Sequence, residues 1–213
     1  GLELQLCRPD VVTYQESCDE PRMRAIADAL EMPHMAYFPG GFPGTVMSHW
    51  PISESEVPDA GDEALFTRHV GKALIETPAG PLRLFSAHLH PSDEAIRLRE
   101  AAQLSDMMRP HLEAGERLLF QGDLNHQPDG PEYTLWQALG LTDVATLEGA
   151  EPGLTFHSVD PRVRIDYIWT GGALKDAAKS YHVLYEANFR TYEEDPAFVA
   201  LSDHLPVMAD IAL

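Results

Sequence analysis

The chain has 213 residues, enough for one large domain with a sizeable core, and we expect a single domain over residues 1–213. Its 34 acidic and 15 basic side chains give a net charge of −19, which disfavours nucleic acid as a partner because Lys and Arg supply most of that affinity. No apolar run approaches the roughly 18 residues of a membrane span, and no signal peptide is predicted; the cytoplasm is favoured, but compartment and oligomeric state stay open.

The first half of the chain predicts strands with two helices between them. A buried strand over residues 10–16 ends in Gln-Glu, and Pro21 opens a helix with apolar residues at helical spacing. Two β-rich runs, 65–77 and 82–88, surround a Pro-Ala-Gly-Pro turn and predict a hairpin. Ser92 is the predicted N-cap of a long amphipathic helix.

The second half continues the same alternation. An apolar run over residues 117–121 predicts a buried strand, and Pro131 opens a third helix. Residues 164–170 alternate between apolar and polar side chains, which is typical of a strand with two different faces. Further strands are predicted at 181–186 and 205–211. Many strands with a few interspersed helices favour two packed sheets flanked by helices.

The tetrapeptide Gly-Asp-Leu-Asn at residues 122–125 follows a buried strand and carries candidate site residues. On an extended backbone Asp123 and Asn125 would point the same way, so that a carboxylate and an amide converge on a phosphate or a metal-bound water. The alternative is turn chemistry, in which both side chains cap their own backbone. We also expect His126, which follows the motif, to line the cleft.

Polar residues close five other apolar runs in the same manner, in this order along the chain: Gln15-Glu16, residues 48–52, residues 87–89, residues 164–168 and residues 202–204. Together with the tetrapeptide they resemble the endonuclease/exonuclease/phosphatase family of metal-dependent phosphohydrolases. The ordered signatures of that family look like QE, S-R-x-P-I, H-L, G-D-x-N, R-I-D-x-I and S-D-H. The resemblance covers nearly the whole chain.

The resemblance implies a four-layer α/β/β/α sandwich, with two packed, mostly antiparallel sheets flanked by helices and the site at one end of the sheets. It implies that Glu16 and Asp203 are ligands of a divalent metal. Their hard oxygen atoms suit Mg²⁺, or Mn²⁺, better than zinc. The sequence does not tell whether the site holds one metal or two.

The resemblance also implies the catalytic roles. His204 would be the histidine of an acid/base pair, with Asp166 as the carboxylate that orients its ring. Asp123 would orient or activate the attacking water. Asn125 and His88 would bind the substrate by donating to the phosphoryl oxygens. Whether Asp123 or His204 is the general base stays open.

The chain departs from the family pattern in one place. The family begins with a strand that carries an Asn ligand in a W-N signature, and no such pair occurs here, because neither Trp50 nor Trp136 is followed by Asn. We therefore expect the first strand to be absent from residues 1–213.

Three functions remain open from the sequence. The first is Mg²⁺-dependent hydrolysis of a phosphate ester, by a phosphodiesterase or phosphatase that acts on a small, lipid or nucleotide substrate. The second is an endonuclease or exonuclease on DNA or RNA. The third is an inactive interaction module whose site lacks the contribution of the first strand.

Overall fold

The computed structural model describes residues 7–58, 66–150, 152–185 and 202–213. These residues form strands β1 Val11–Tyr14, β2 His34–Phe38, β3 Gly44–Ser48, β4 Ile52–Glu56, β5 His69–Thr77, β6 Gly80–His88, β7 Arg117–Asp123, β8 Thr142–Asp143, β9 Asp166–Gly172, β10 Ala178–Val183 and β11 Val207–Ile211, and helices α1 Glu20–Ala29, α2 Glu94–Glu113 and α3 Pro131–Ala138. None of these helices is long and apolar enough to cross a membrane.

The largest sheet has six strands in the order β4-β5-β6-β7-β9-β8. The predicted hairpin is present as β5 and β6, which pair from Thr77 and Gly80 at the turn to His69 and His88 at the far end. Strand β7 then runs parallel to β6 after a crossover through α2, whereas β9 is antiparallel to β7. One edge of this sheet therefore collects the last residues of β6 and β7 and the first residue of β9.

A second layer packs on one face of the six-stranded sheet. It consists of the antiparallel sheets β1-β3-β2 and β10-β11, which share one apolar core with strands β5, β6, β7 and β9. Within the described residues, β1 pairs only with β3 and β11 pairs only with β10. A cavity of about 790 Å³ is lined by every residue of both strands. Each of these strands therefore has one unpaired edge beside the cavity.

The helices form the two outer layers. Met23 of α1 packs with Met47 of β3 on the outer face of the three-stranded sheet. Leu104 of α2 and Trp136 of α3 pack with Phe120 of β7 on the outer face of the six-stranded sheet. The molecule is therefore the predicted α/β/β/α sandwich with mostly antiparallel sheets. Along β7, Leu119 packs into the core between the sheets, whereas Leu118 and Phe120 pack into the cluster that includes α2 and α3, as the two-residue period of a strand requires.

Some predicted element boundaries differ from those observed. The N-cap of α2 is Asp93 rather than Ser92, because the Asp93 carboxylate accepts a hydrogen bond from the backbone N–H of Ile96 at 3.1 Å. A carboxylate at this position also interacts favourably with the positive end of the helix dipole. The predicted strand 205–211 begins two residues later, at Val207, and the strand predicted at 181–186 is Ala178–Val183. Residues 65 and 186 of the predicted strands lie outside the described residues.

Candidate active site

Strand register brings three predicted site residues together at one edge of the six-stranded sheet. His88, the last residue of β6, is the register partner of Asp123, the last residue of β7. Asp123 is in turn directly opposite Asp166, the first residue of β9. Adjacent strands lie about 4.8 Å apart, so the three side chains form a row.

His204 approaches this row from the segment before β11. Its Nδ1 atom lies 2.9 Å from Oδ2 of Asp166, and its Nε2 atom lies 3.7 Å from Oδ2 of Asp123. Burial lowers the pKa of His204, but the hydrogen bond and the charge of Asp166 outweigh it and raise the pKa to about 9. The imidazole is therefore positively charged at neutral pH, with Nδ1 bound to Asp166 and Nε2 directed toward Asp123.

Asp123 lies between the two histidines and is 6% exposed. Burial, followed by the negative charge of Asp166, raises its pKa to about 7, although charged His204 acts in the opposite direction. Two carboxylates thus share one poorly hydrated edge, and the charge of His204 compensates them only in part.

His88 is 2% exposed and is neutral. Burial, reinforced by the charge of Arg68, lowers its pKa to about 3. Nη1 of Arg68 lies 2.9 Å from its Nε2 atom, so Nε2 accepts this hydrogen bond and Nδ1 carries the proton. The contact of 3.3 Å between Nε2 and Asp123 is therefore not an ion pair. Nδ1 is buried and has no hydrogen-bond partner among the described residues.

The two predicted metal ligands are more exposed than this row. Glu16 follows β1 in a left-handed backbone conformation with φ of 50°, and its side chain is 57% exposed. Its Oε1 atom accepts a hydrogen bond from Nη1 of Arg68 at 2.8 Å. Asp203 is exposed, and its carbonyl oxygen accepts the backbone N–H of Ser158. Both carboxylates line the cavity that His88, Asp123, Asp166 and His204 also line.

The prediction that the side chains of Asn125 and Asp123 point the same way from an extended strand is wrong. Strand β7 ends at Asp123, and Asn125 is left-handed with φ of 53°, so the two side chains do not project in parallel from one extended strand. The backbone N–H of Asn125 donates to Oδ1 of Asp123 at 3.1 Å, and its Nδ2 donates to the carbonyl oxygen of Leu89 at 3.0 Å. The first bond is the local turn chemistry that the sequence left as an alternative for Asp123, whereas the amide of Asn125 bonds to a distant segment and does not cap its own backbone. Asn125 is not among the residues that line the cavity.

His126 does not line the cleft either. It is 3% exposed, its Nε2 accepts the indole N–H of Trp136 at 3.0 Å, and its ring stacks on Tyr167. Burial lowers its pKa to about 4, so it is a neutral member of the core. The expectation rested on its place in the sequence, which does not reveal the face toward which its side chain points.

Arg68 is a site residue that the sequence analysis did not identify. It immediately precedes β5 and contacts both Glu16 and His88. The predicted hairpin did not locate it: pairing the predicted strand ends 77 and 82 puts Gly71 opposite His88, whereas the observed partner of His88 is His69. Phe42 also contacts Arg68, whose Cζ lies 4.0 Å from the centre of the Phe42 ring.

The residues present fit a divalent cation. Asp123, Asp166 and His204 each offer one ligand atom, and these three atoms lie within 4.8 Å of one another. The raised pKa of Asp123 reports negative charge that a cation would stabilise. Because Nδ1 of His204 is already held by Asp166, the exposed carboxylates Glu16 and Asp203 offer the more accessible oxygen atoms.

The family assignment agrees with this site. The family model described as "Endonuclease/Exonuclease/phosphatase family" matches residues 3–204, so the chain belongs to that family. The protein named "Uncharacterized protein YbhP" of Escherichia coli K12 is 28% identical over 181 residues, a match that covers 84% of this chain and 66% of that protein. The matched region thus spans just under two thirds of this curated relative.

Solved structures share the fold over the whole chain. A 3′ phosphatase, NExo, from Neisseria with a product DNA hairpin is similar at a TM-score of 0.75 and 19% identity, covering 100% of this chain and 93% of the other. A mannosyl-6-phosphatase from Bacteroides thetaiotaomicron gives a TM-score of 0.70 at 18% identity, covering 100% and 88%. An AP endonuclease from Archaeoglobus fulgidus gives 0.74 at 16%, covering 100% and 92%. Identities this low show the shared fold, and the named substrates belong to those proteins.

Proposed function

We propose that this protein hydrolyses phosphate esters with the help of a divalent metal, Mg²⁺ or Mn²⁺, and acts on a small, lipid or nucleotide substrate. The observation that carries the proposal is the convergence of His88, Asp123, Asp166 and His204 at one sheet edge. Attack of water on a phosphate needs a proton acceptor, a donor to the oxyanion and stabilisation of developing charge. This group of residues can supply the first two.

In the proposed mechanism Asp123 orients the attacking water and accepts its proton. Its Oδ2 atom lies between Nε2 of His88 and Nε2 of His204, at 3.3 and 3.7 Å. Asp166 holds Nδ1 of His204, so that Nε2 of His204 can donate to a phosphoryl oxygen. His88 and the second amide hydrogen of Asn125 are the proposed additional substrate contacts.

Glu16 and Asp203 are the proposed metal ligands, and both residues line the cavity that Asp123 and Asp166 also line. A bound divalent cation would act as a Lewis acid on the phosphoryl oxygen. The surrounding side chains would orient water, donate to the oxyanion and hold the reacting groups at the sheet edge.

We also propose that residues 1–213 are one domain, and that one more extended segment fits between β1 and β11. Within the described residues, the unpaired edges of both strands beside the 790 Å³ cavity support this, as does the lack of a W-N signature in the sequence. Amide hydrogen exchange tests it. Residues 11–14 and 207–211 should exchange faster than β7, and equal protection of all three strands would contradict it.

Hydrolysis of bis(4-nitrophenyl) phosphate tests the proposed function. Nitrophenolate release should require Mg²⁺ or Mn²⁺, stop with EDTA and return when excess metal is added. The inactive-module alternative predicts no release with any metal. If activity requires a strand between β1 and β11, nitrophenolate release should appear once an added N-terminal segment supplies that strand.

A further inference from the structure

Arg68 has an unusual set of neighbours. Its Nη1 atom donates both to Oε1 of Glu16 at 2.8 Å and to Nε2 of His88 at 2.9 Å. Its guanidinium stacks on Phe42, and its side chain is only 17% exposed, whereas that of Glu16 is 57% exposed. A cation is therefore fixed between His88 of the site and the largely exposed carboxylate of Glu16.

The remaining donors of Arg68 are available to a ligand. Its hydrogen bonds within the described residues all run through Nη1, although a guanidinium has five N–H groups on three nitrogen atoms. The planar fork of a guanidinium matches the oxygen atoms of a phosphate better than an ammonium does. By contrast, the buried Arg164 is bound to Asp143 at 2.7 Å and stacks on Tyr167.

Glu16 cannot serve Arg68 and a divalent metal equally well. A divalent cation held by its carboxylate would repel the neighbouring guanidinium. A divalent cation and Arg68 therefore compete for Glu16. When Glu16 is taken by a metal, Arg68 loses one partner and keeps only the weak acceptor His88 and the ring of Phe42.

We infer that Arg68 is a substrate-binding residue with two alternating partners: Glu16 when no metal is bound, and a phosphoryl oxygen of the substrate when a divalent cation occupies Glu16. The inference rests on the proposed function for the identity of the substrate. In this role Arg68 contributes a positive charge to phosphate binding in addition to that of His204. Release of Glu16 also links metal binding to substrate binding.

Two binding titrations test this without turnover. Mn²⁺ alone, and inorganic phosphate in the presence of Mn²⁺, are titrated into the wild type, Arg68→Met and the control Arg109→Met, which removes an exposed arginine of α2. Arg68→Met should bind Mn²⁺ about two- to fivefold more tightly, because a partly exposed ion pair no longer competes. It should bind phosphate about tenfold or more weakly, because charge-assisted hydrogen bonds are lost. Arg109→Met should match the wild type in both titrations.

The opposite signs of the two effects separate the inference from a structural role, which would weaken both ligands together. Arg68→Lys keeps the charge and should recover part of the phosphate affinity; it also serves as the test variant if Arg68→Met does not fold. Unchanged phosphate affinity in a folded variant, or weaker Mn²⁺ binding, would overturn the inference. If the wild type binds no Mn²⁺, the proposed metal dependence and the exchange of partners both fail, whereas Mn²⁺ binding with unchanged phosphate affinity in Arg68→Met overturns the inference alone.

Discussion

Asp123 and Asp166 are directly opposed on β7 and β9, at the same edge of one sheet. Like charges at opposed positions on adjacent strands are destabilising, so a protein that keeps this pair must compensate it. Charged His204 does so in part, through its 2.9 Å contact with Asp166. Burial and the negative charge of Asp166 together raise the pKa of Asp123, and a cation bound at this edge would stabilise both carboxylates.

Replacing Asp166 with Asn should remove the carboxylate that orients the His204 ring. We expect kcat to fall by about 10²–10⁴, the usual range for a positioned acid or base, with little change in the melting temperature. Steady-state rates with an aryl phosphodiester measure this. Asp106→Asn, at an exposed position of α2 with a side chain that is 79% exposed, is the matched control and should keep full activity. Activity of Asp166→Asn within twofold of the wild type would refute the pairing as a catalytic device.

Gly122→Ala should disrupt the approach of β7 to β6. A Cβ atom at this position would lie 1.9 Å from the carbonyl oxygen of Ala87, and the residue has φ of 148°. We expect a loss of about 3 kcal/mol or more in the free energy of unfolding, measured with urea. Gly41→Ala is the control, because nothing lies within 4 Å of its added Cβ atom. Equal stabilities of the two variants would contradict the close strand contact.

Stability should fall as the pH is lowered from 7 to 5, partly because of His126. Its pKa in the folded protein is about 4, against 6.5 as the ordinary value, so the unfolded chain binds more protons between these pH values. From this difference, His126 should contribute about 2 kcal/mol to the loss between pH 7 and pH 5.

Urea unfolding of His126→Gln at both pH values measures this contribution. The Gln side chain can still accept the indole N–H of Trp136 but does not titrate, so the loss should become smaller by that amount. His49→Gln, at an exposed position, should show the same pH dependence as the wild type. An unaltered pH dependence in His126→Gln would argue against a neutral buried imidazole.

Salt should distinguish a small substrate from a polyanion. With a net charge of −19, the protein repels DNA, and added salt screens this repulsion over a Debye length of about 8 Å at physiological ionic strength. Hydrolysis of a small diester should therefore change little between low and moderate salt. Any cleavage of plasmid DNA should increase with salt. Plasmid cleavage that is efficient at low salt and decreases steeply with added salt would favour the nuclease alternative, because such binding releases counterions.

Much of the fold follows from local patterns. Apolar runs closed by polar residues predicted where β6 and β7 end, whereas the strand predicted at 164–170 is observed at Asp166–Gly172. The family resemblance implied the four layers. His88, Asp123, Asp166 and His204 could be named because each lies beside the end of an apolar run and matches a short motif. Their closeness comes from strand order, which the family resemblance supplied and periodicity alone did not.

The remaining features depend on contacts between distant segments. The amide of Asn125 donates to the carbonyl oxygen of Leu89, 36 residues earlier in the chain. Arg68 meets Glu16 across the two sheets, 52 residues apart in sequence. Such contacts carry no local periodic signal. The predicted hairpin did not reveal Arg68 either, because its predicted strand ends put Gly71 opposite His88 and the observed register puts His69 there.

The central claim is that Asp123 and His204 form a metal-dependent hydrolytic site. The most direct test compares bis(4-nitrophenyl) phosphate hydrolysis by the wild type, Asp123→Asn, His204→Ala and the control Asp106→Asn, each with EDTA, Mg²⁺ and Mn²⁺. We predict metal-dependent release by the wild type and the control, and a loss of at least about 10² in rate for both site variants while they remain folded. Metal-dependent release that persists at the wild-type rate in folded Asp123→Asn or His204→Ala would contradict the account.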